Sequence, residues 1–306
     1  MLVIVLTAIG ELETPIWRRR RAKEGFESIY IDETHLFNIN ELCLFHYLTK
    51  PNCNTNMVFT IDRSQAIGDS TLDKGDVSRA LNIEEKQAVN DLSTVFRSSP
   101  DILNFASHIL SSGATLFTNF ENPLKNAVGS FTMEDEKKSI KPVLKKYIND
   151  EQMISESFVN VNLIASELKC ARHRVVIIPT TDSLCKEVES FAKENNKPFE
   201  IIKNRGDIEK VNLAEKGGKF IISGIDYVGG LEFDAVVIVG VDKGRVPPTD
   251  INTNGESKHY LTYVTYNRLY VAITRAKYAI TTTYTATRGL SEIMKKAVEA
   301  KVLDTI

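Results

Sequence analysis

An α/β fold built on a mostly parallel sheet with helices on both faces is predicted by three observations. Apolar, β-branched runs at residues 174–179, 219–225, 235–241 and 278–284 are short and nearly uninterrupted, as strands buried on both faces are. Helical segments alternate with strands, and no internal repeat or low-complexity linker breaks the order. With 306 residues, 42% hydrophobic and 25% charged, the chain can build one or two ordinary cores.

Taken in order, residues 1–10 are apolar but fall well short of the roughly 18 that suggest a membrane span, and they lack a basic start. A buried strand is expected there. Residues 27–31 and 56–61 are apolar runs that each lead into an acidic residue and then polar ones, as strands feeding a site do. Helices are expected at 83–95 and 101–110, the second with Ser99 as cap and Pro100 at its first position. The polar, Gly- and Asn-rich stretch 111–141 reads as loop, and the lysines of 137–146 as solvated surface. Then come the strand 174–179, a helix over 184–193, and the last three strands. The texture changes near residue 80, which suggests two domains, 1–80 and 81–306.

A net charge of −2 excludes a uniformly basic surface, so any nucleic-acid contact has to come from a local patch. The dense basic run is Trp17-Arg18-Arg19-Arg20-Arg21; it reads as a backbone contact with Trp17 stacking on a base, or as a solvated, partly disordered segment. The cysteines Cys43, Cys53, Cys170 and Cys185 form no CxxC pair. His46 and His173, each three residues after a cysteine, are far apart in sequence, so a zinc site is not expected. Free thiols in a reducing cytoplasm are the simplest expectation.

Four segments carry chemistry. Ser28-Ile29-Tyr30-Ile31-Asp32-Glu33 ends a strand in two carboxylates. Asp32 suits Mg²⁺, directly or through water, and Glu33 suits orienting or deprotonating a water; a solvated turn or helix cap would use the same residues. After the run 56–61, Gln65 can hydrogen-bond a γ-phosphate or its attacking water, or belong to an ordinary polar loop. Arg97, on the loop entering the helix at Pro100, can reach a phosphate or pair with a carboxylate. In Gly229-Gly230-Leu231-Glu232-Phe233 the glycines permit close approach and Glu232 can accept hydrogen bonds from ribose hydroxyls; a tight turn between core strands is the plain alternative. To these is added Tyr270-Val271-Ala272-Ile273-Thr274-Arg275-Ala276, whose arginine precedes the last strand and can clamp a transferring phosphoryl group.

The order and wording of these segments resemble the UvrD/Rep-like superfamily 1 helicases over residues 27–284, most closely at Gly230-Leu231-Glu232-Phe233-Asp234 and Tyr270–Ala276. The resemblance implies a RecA-like, P-loop NTPase-type fold with a partial first lobe and a complete second lobe. It implies that Asp32-Glu33 binds Mg²⁺ and activates water, that Gln65 senses the γ-phosphate of ATP, and that Arg97 and Arg275 contact it from the second lobe. Gly230 and Glu232 match the family's Gly-Leu-Glu-Phe motif. Single-stranded DNA is the implied partner and the cytoplasm the implied compartment.

Several positions depart from the family pattern. His35 stands where glutamine is usual, Gly68 where a stacking tyrosine often sits, Gly229 where lysine is common, and residues 224–226 lack Thr-x-His. The largest departure is the phosphate cradle GxxxxGKS/T, which neither the residues before Asp32 nor Lys216-Gly217-Gly218-Lys219 provide. Phosphate clamps of this type contribute ~3–4 kcal/mol per donor, so ATP turnover is expected to need a cradle-bearing segment or partner chain. An apolar first-lobe surface is expected where such a segment would pack.

Overall fold

The computed structural model describes residues 14–34, 37–51, 57–61, 74–81, 94–95, 98–113, 128–129, 135, 138–249 and 255–306. These form two compact units, Met1–Leu92 and Ser93–Ile306.

In the first unit, helix α1 (Pro15–Glu24) leads to strand β1 (Ile29–Ile31), helix α2 (Ile39–Leu48), strand β2 (Met57–Phe59) and helix α3 (Lys74–Leu81). Helix α1 forms across the basic run because Thr14 caps it and Pro15 occupies its first position. The run is therefore helical, where a partly disordered segment was one expectation. Asn38 and Glu41 make a reciprocal capping box that starts α2. Strands β1 and β2 pair in parallel, Ile29 with Met57 and Ile31 with Phe59. A small core of Leu42, Val77 and Ala80 is ringed by Phe37, Phe45, Met57 and Phe59. Tyr30 and Val58, partners in the ladder, are instead exposed, as are Phe26 and Ile16.

The second unit is a seven-stranded, all-parallel sheet. Its elements are β3 (Thr94–Val95), α4 (Pro100–Ser112), β4 (Val128–Gly129), β5 (Val143–Tyr147), α5 (Asp150–Glu167) and β6 (Val175–Pro179). There follow α6 (Asp182–Glu194), β7 (Phe199–Ile202), α7 (Ile208–Gly217), β8 (Phe220–Ser223) and β9 (Phe233–Val239). The chain ends with α8 (Gly255–Ile273), β10 (Ala276–Thr285), α9 (Glu292–Glu299) and β11 (Asp304–Thr305). The strand order is β11-β5-β10-β9-β6-β8-β7, with β3 and β4 paired separately. Every residue of β6 and β8 is buried, so these strands need apolar side chains facing both ways. Met153, Phe158 and Val161 of α5, with Leu184 and Val188 of α6, cover the face that holds Val175, Ile177, Phe220 and Val237. Helices α4 and α8 pack over β10 on the sheet's other side, and α9 packs on α4. Each fully buried Val, Leu, Ile or Phe contributes ~1.5–3 kcal/mol, which makes this sheet the main source of stability.

Three sequence expectations are corrected. Thr94 and Val95 are a strand paired with Val128 and Gly129, not the end of a helix; the rest of 83–95 lies outside the described residues, as do residues 1–10. The lysine-rich stretch contains sheet strand β5, with Leu144 buried and Lys145 bonded to Asn160 at 2.9 Å. Residues 224–232 are not a tight turn between neighbours: β8 and β9 are parallel with β6 between them, so the segment is a crossover.

At the carboxyl edge of the sheet a buried ion-pair network joins three elements. Arg245 donates to both carboxylate oxygens of Asp150 and to Asp242, each at 2.8 Å. The fully buried Asp242 also accepts from the Thr285 backbone N–H at 2.6 Å. Burial pushes the Asp150 pKa up, but the hydrogen bonds and charge of Arg245, aided by Arg288, outweigh it and leave the carboxyl below its ordinary value. A folded pKa below the unfolded one stabilises above about pH 4 and is lost as pH falls through the folded value. Arg245→Ala strands a buried carboxylate and should cost about 3–5 kcal/mol in urea unfolding. The variant should also lack most of the acid-sensitive increment that the natural chain shows below about pH 4. A variant that unfolds like the natural chain would mean the network is not stabilising.

Candidate nucleotide and nucleic-acid site

In the first unit, β1 places Asp32 and Glu33 at its carboxyl end. The Glu33 N–H donates to Asp32 Oδ1 and to Thr60 Oγ1, both at 3.0 Å, and the Thr60 hydroxyl donates to the same Asp32 oxygen. Backbone bonds from Thr34 to Thr60 and from Thr60 to Ile31 close the turn. Glu33 lies in the left-handed region at φ 53°, uncommon for a side-chain-bearing residue and frequent at functional sites. Asp32 is exposed beyond this turn. No group of three or more His, Cys, Asp or Glu able to hold a metal exists among the described residues. Mg²⁺ is commonly held by one or two carboxylates together with substrate phosphates, and a single exposed Asp32 fits that mode rather than a protein cage. Gln65, His35 and Gly68 lie outside the described residues.

The second unit brings three of the sequence segments together at the amino ends of β9 and β10. Arg275 sits in the turn between α8 and β10, and its backbone carbonyl accepts the Phe233 N–H at 3.0 Å. Its side chain is only 1% exposed. Among the described residues the guanidinium donates to the Val271 carbonyl at 3.1 Å, the Leu231 carbonyl at 3.4 Å and the Thr274 hydroxyl at 3.3 Å. The last two are long, and weak for hydrogen bonds. Between Ala276 and Ala279 the ladder to β9 shifts register, a bulge at Lys277 and Tyr278. The Lys277 carbonyl accepts the Ser99 N–H at 3.0 Å, which fixes the start of α4. Ser99 is the cap residue, as expected, but its side chain makes no capping bond. Arg97, two residues earlier, lies outside the described residues.

Glu232 is exposed, next to the Leu231 whose carbonyl Arg275 meets. It follows a turn closed by the Leu231 N–H on the Val228 carbonyl at 3.2 Å, with Gly230 at φ 77° in its third position. That conformation favours glycine, whereas Gly229 has ordinary φ and open space where a Cβ would go. In place of Thr-x-His, the crossover carries Asp226, which pairs with Arg268 of α8 through Nε–Oδ1 at 2.6 Å and Nη2–Oδ2 at 2.9 Å.

Around this junction lie charges to which the sequence alone assigns no role. Arg174 pairs with Asp234 at 2.6 Å, and the Tyr278 hydroxyl donates to Asp135 at 2.7 Å. Lys277 lies over the Tyr278 ring at 4.7 Å and 3.5 Å from Asp135. The hydrogen bond to Tyr278 first, and then the charges of Tyr278 and Asp135, raise the Lys277 pKa against the effect of burial. Asp234 closes the Gly-Leu-Glu-Phe-Asp segment and Lys277 follows Thr-Arg-Ala, so both are within reach of the sequence, though neither is given a role there; nothing near Asp135 signals its role. A groove of about 390 Å³ between α5 and α6, lined by Asp150, Glu151, Lys186, Phe191 and Glu194, contains none of the motif residues.

A helix-covered parallel sheet with Gly-Leu-Glu-Phe and Thr-Arg-Ala joined at one edge defines a helicase-type lobe. The family model for the UvrD-like helicase C-terminal domain matches residues 22–287, and the chain belongs to that family. Among solved structures it is similar to the C-terminal domain of a possible DNA helicase from Lactobacillus plantarum, with a TM-score of 0.45 and 17% identity over 69% of this chain and 98% of that one. It is also similar to S. cerevisiae Dbp5 bound to RNA and ADP BeF3, with a TM-score of 0.40 and 11% identity over 91% of this chain. The match spans 59% of the Dbp5 chain. No curated protein matches this chain. Among the described residues no helix is long and apolar enough to cross a membrane.

The two glycines should respond differently to substitution. Gly230→Ala is expected to lose about 1–2 kcal/mol in chemical denaturation, from the left-handed backbone. Gly229→Lys should stay within about 0.5 kcal/mol of the natural chain. Equal losses at both positions would contradict this geometry.

Proposed function

We propose that this chain is the C-terminal portion of an ATP-dependent DNA helicase or translocase, which couples ATP hydrolysis to movement on DNA once a phosphate-cradle segment is supplied. The observation that carries the reading is the junction in which Arg275 meets the segment holding Glu232, within a chain of the UvrD-like C-terminal family. In this reading Asp32 holds Mg²⁺, and Glu33 orients or deprotonates the attacking water. Gln65 reports the γ-phosphate, and Arg97 and Arg275 stabilise the charge that develops on it. Glu232 accepts hydrogen bonds from the ribose hydroxyls, with Gly230 setting the turn beside it. Mg²⁺ bound with the nucleotide supplies neutralisation of phosphate charge. Domains over 1–80 and 81–306, a single-stranded DNA partner and a cytoplasmic setting complete the proposal.

A second reading, a non-hydrolytic nucleic-acid-binding or regulatory module, is favoured by one observation. The Arg275 guanidinium is buried against backbone carbonyls, so a clamp on phosphate requires it to leave the Leu231 carbonyl and the Thr274 hydroxyl.

ATP hydrolysis with and without single-stranded DNA separates the two. The chain alone should show no turnover, and a cradle-bearing segment should restore it. Restored turnover should fall by about a thousandfold or more in Arg275→Ala and by about a hundredfold or more in Glu33→Gln. Failure of every added cradle to restore turnover, while DNA binding persists, would favour the non-hydrolytic module.

A further inference from the structure

Helix α1 carries Trp17-Arg18-Arg19-Arg20-Arg21-Ala22-Lys23 in a chain whose net charge is only −2. Such a helix works against itself. Arg18/Arg21 and Arg19/Lys23 are like charges at helical spacing, and the first turn holds no acidic residue to offset them. Two of the five cations have a use within the fold. Arg21 donates to the carbonyls of His46 and Thr49 and to the Thr49 hydroxyl, which caps the carboxyl end of α2. Arg20 pairs with Glu24 at 2.6 Å and lies over the Trp17 ring at 5.7 Å.

Arg18, Arg19 and Lys23 are exposed and pair with no carboxylate among the described residues. At 100° per residue, Arg19 and Lys23 fall on the side of α1 opposite Arg21, with Arg18 between that side and Arg21. The helix rise puts Arg19 and Lys23 about 6 Å apart along the axis. No residue of α1 is buried, so this side does not pack into a core of the described residues.

We propose that the exposed cationic surface of Arg18, Arg19 and Lys23 is a sequence-independent docking surface for the phosphate backbone of a nucleic-acid strand, which supplies the negative charge that these three lack. The inference rests on the reading that this protein works on nucleic acid. Recognition is by charge and not by stacking, because Trp17 is half-buried with Arg20 over its ring. This surface is also joined to the carboxylate turn. Gly25 ends α1, and Phe26 is held by backbone bonds to Leu48 and Lys50 just before β1 carries the chain to Asp32.

The test is fluorescence anisotropy of a labelled mixed-sequence single-stranded oligonucleotide titrated with the full chain across salt concentrations. The comparison is a variant with Arg18→Gln, Arg19→Gln and Lys23→Gln. Glutamine is a good helix former, so circular dichroism should be unchanged. Each lost contact lowers the salt slope by about 0.7, so the variant's slope should be shallower by about 2 and its affinity at low salt at least about tenfold weaker. The Arg18→Lys, Arg19→Lys variant should keep both properties of the natural chain. Equal binding by the natural chain and the glutamine variant overturns the docking surface while leaving the broader reading intact. No binding by either overturns both. Binding of the natural chain to anionic phospholipid vesicles but not to the oligonucleotide assigns the three cations to a membrane surface and overturns the proposal.

Discussion

The buried guanidinium of Arg275 is the constraint on which the second unit's amino edge depends. An arginine with 1% exposure is stable only where its donors are satisfied, and here the acceptors include main-chain carbonyls on different elements. Val271 belongs to the last turn of α8 and Leu231 to the crossover into β9, so one side chain spans the helix and the crossover. The Arg275 main chain adds the tie to Phe233, and the bulge at Lys277 turns a carbonyl toward Ser99. Three segments distant in sequence thereby share one short stretch of backbone.

The two edges of the sheet are held in different ways. At the carboxyl edge, Asp150, Asp242 and Arg245 form a closed network whose partners satisfy one another. At the amino edge, the Arg275 guanidinium donates to the Val271 and Leu231 carbonyls and the Thr274 hydroxyl, and Glu232 beside it is exposed. Arg245 is thus held by carboxylates, whereas the described partners of Arg275 are main-chain carbonyls and a hydroxyl.

Much of this was legible in sequence for simple reasons. Strands β6, β8, β9 and β10 are short runs rich in apolar and β-branched residues, and Ser99-Pro100 announces α4. Helix α5 is hard to read from sequence because Ser157 and Asn160 interrupt its apolar stripe. Both are buried and satisfied, Ser157 by the Ile154 carbonyl and Asn160 by Tyr147 and Lys145. Strand β5 hid behind its lysines, whose long stems let a charged residue sit on a sheet. For the site, the segments were readable as motifs, whereas their meeting point was not. Neither the crossover over β6 nor the inward turn of Arg275 follows from local pattern, since both are set by which strands become neighbours.

Hydrogen exchange at individual amides tests the junction most directly. The Phe233 and Ser99 N–H groups donate to the carbonyls of Arg275 and Lys277 and should exchange as slowly as the interior of β9. Replacing Arg275 by alanine should speed exchange at both while leaving β6 protected. Loop-like exchange of Phe233 and Ser99 in the natural chain, or no change on losing the guanidinium, would contradict the claim that Arg275 holds these segments together.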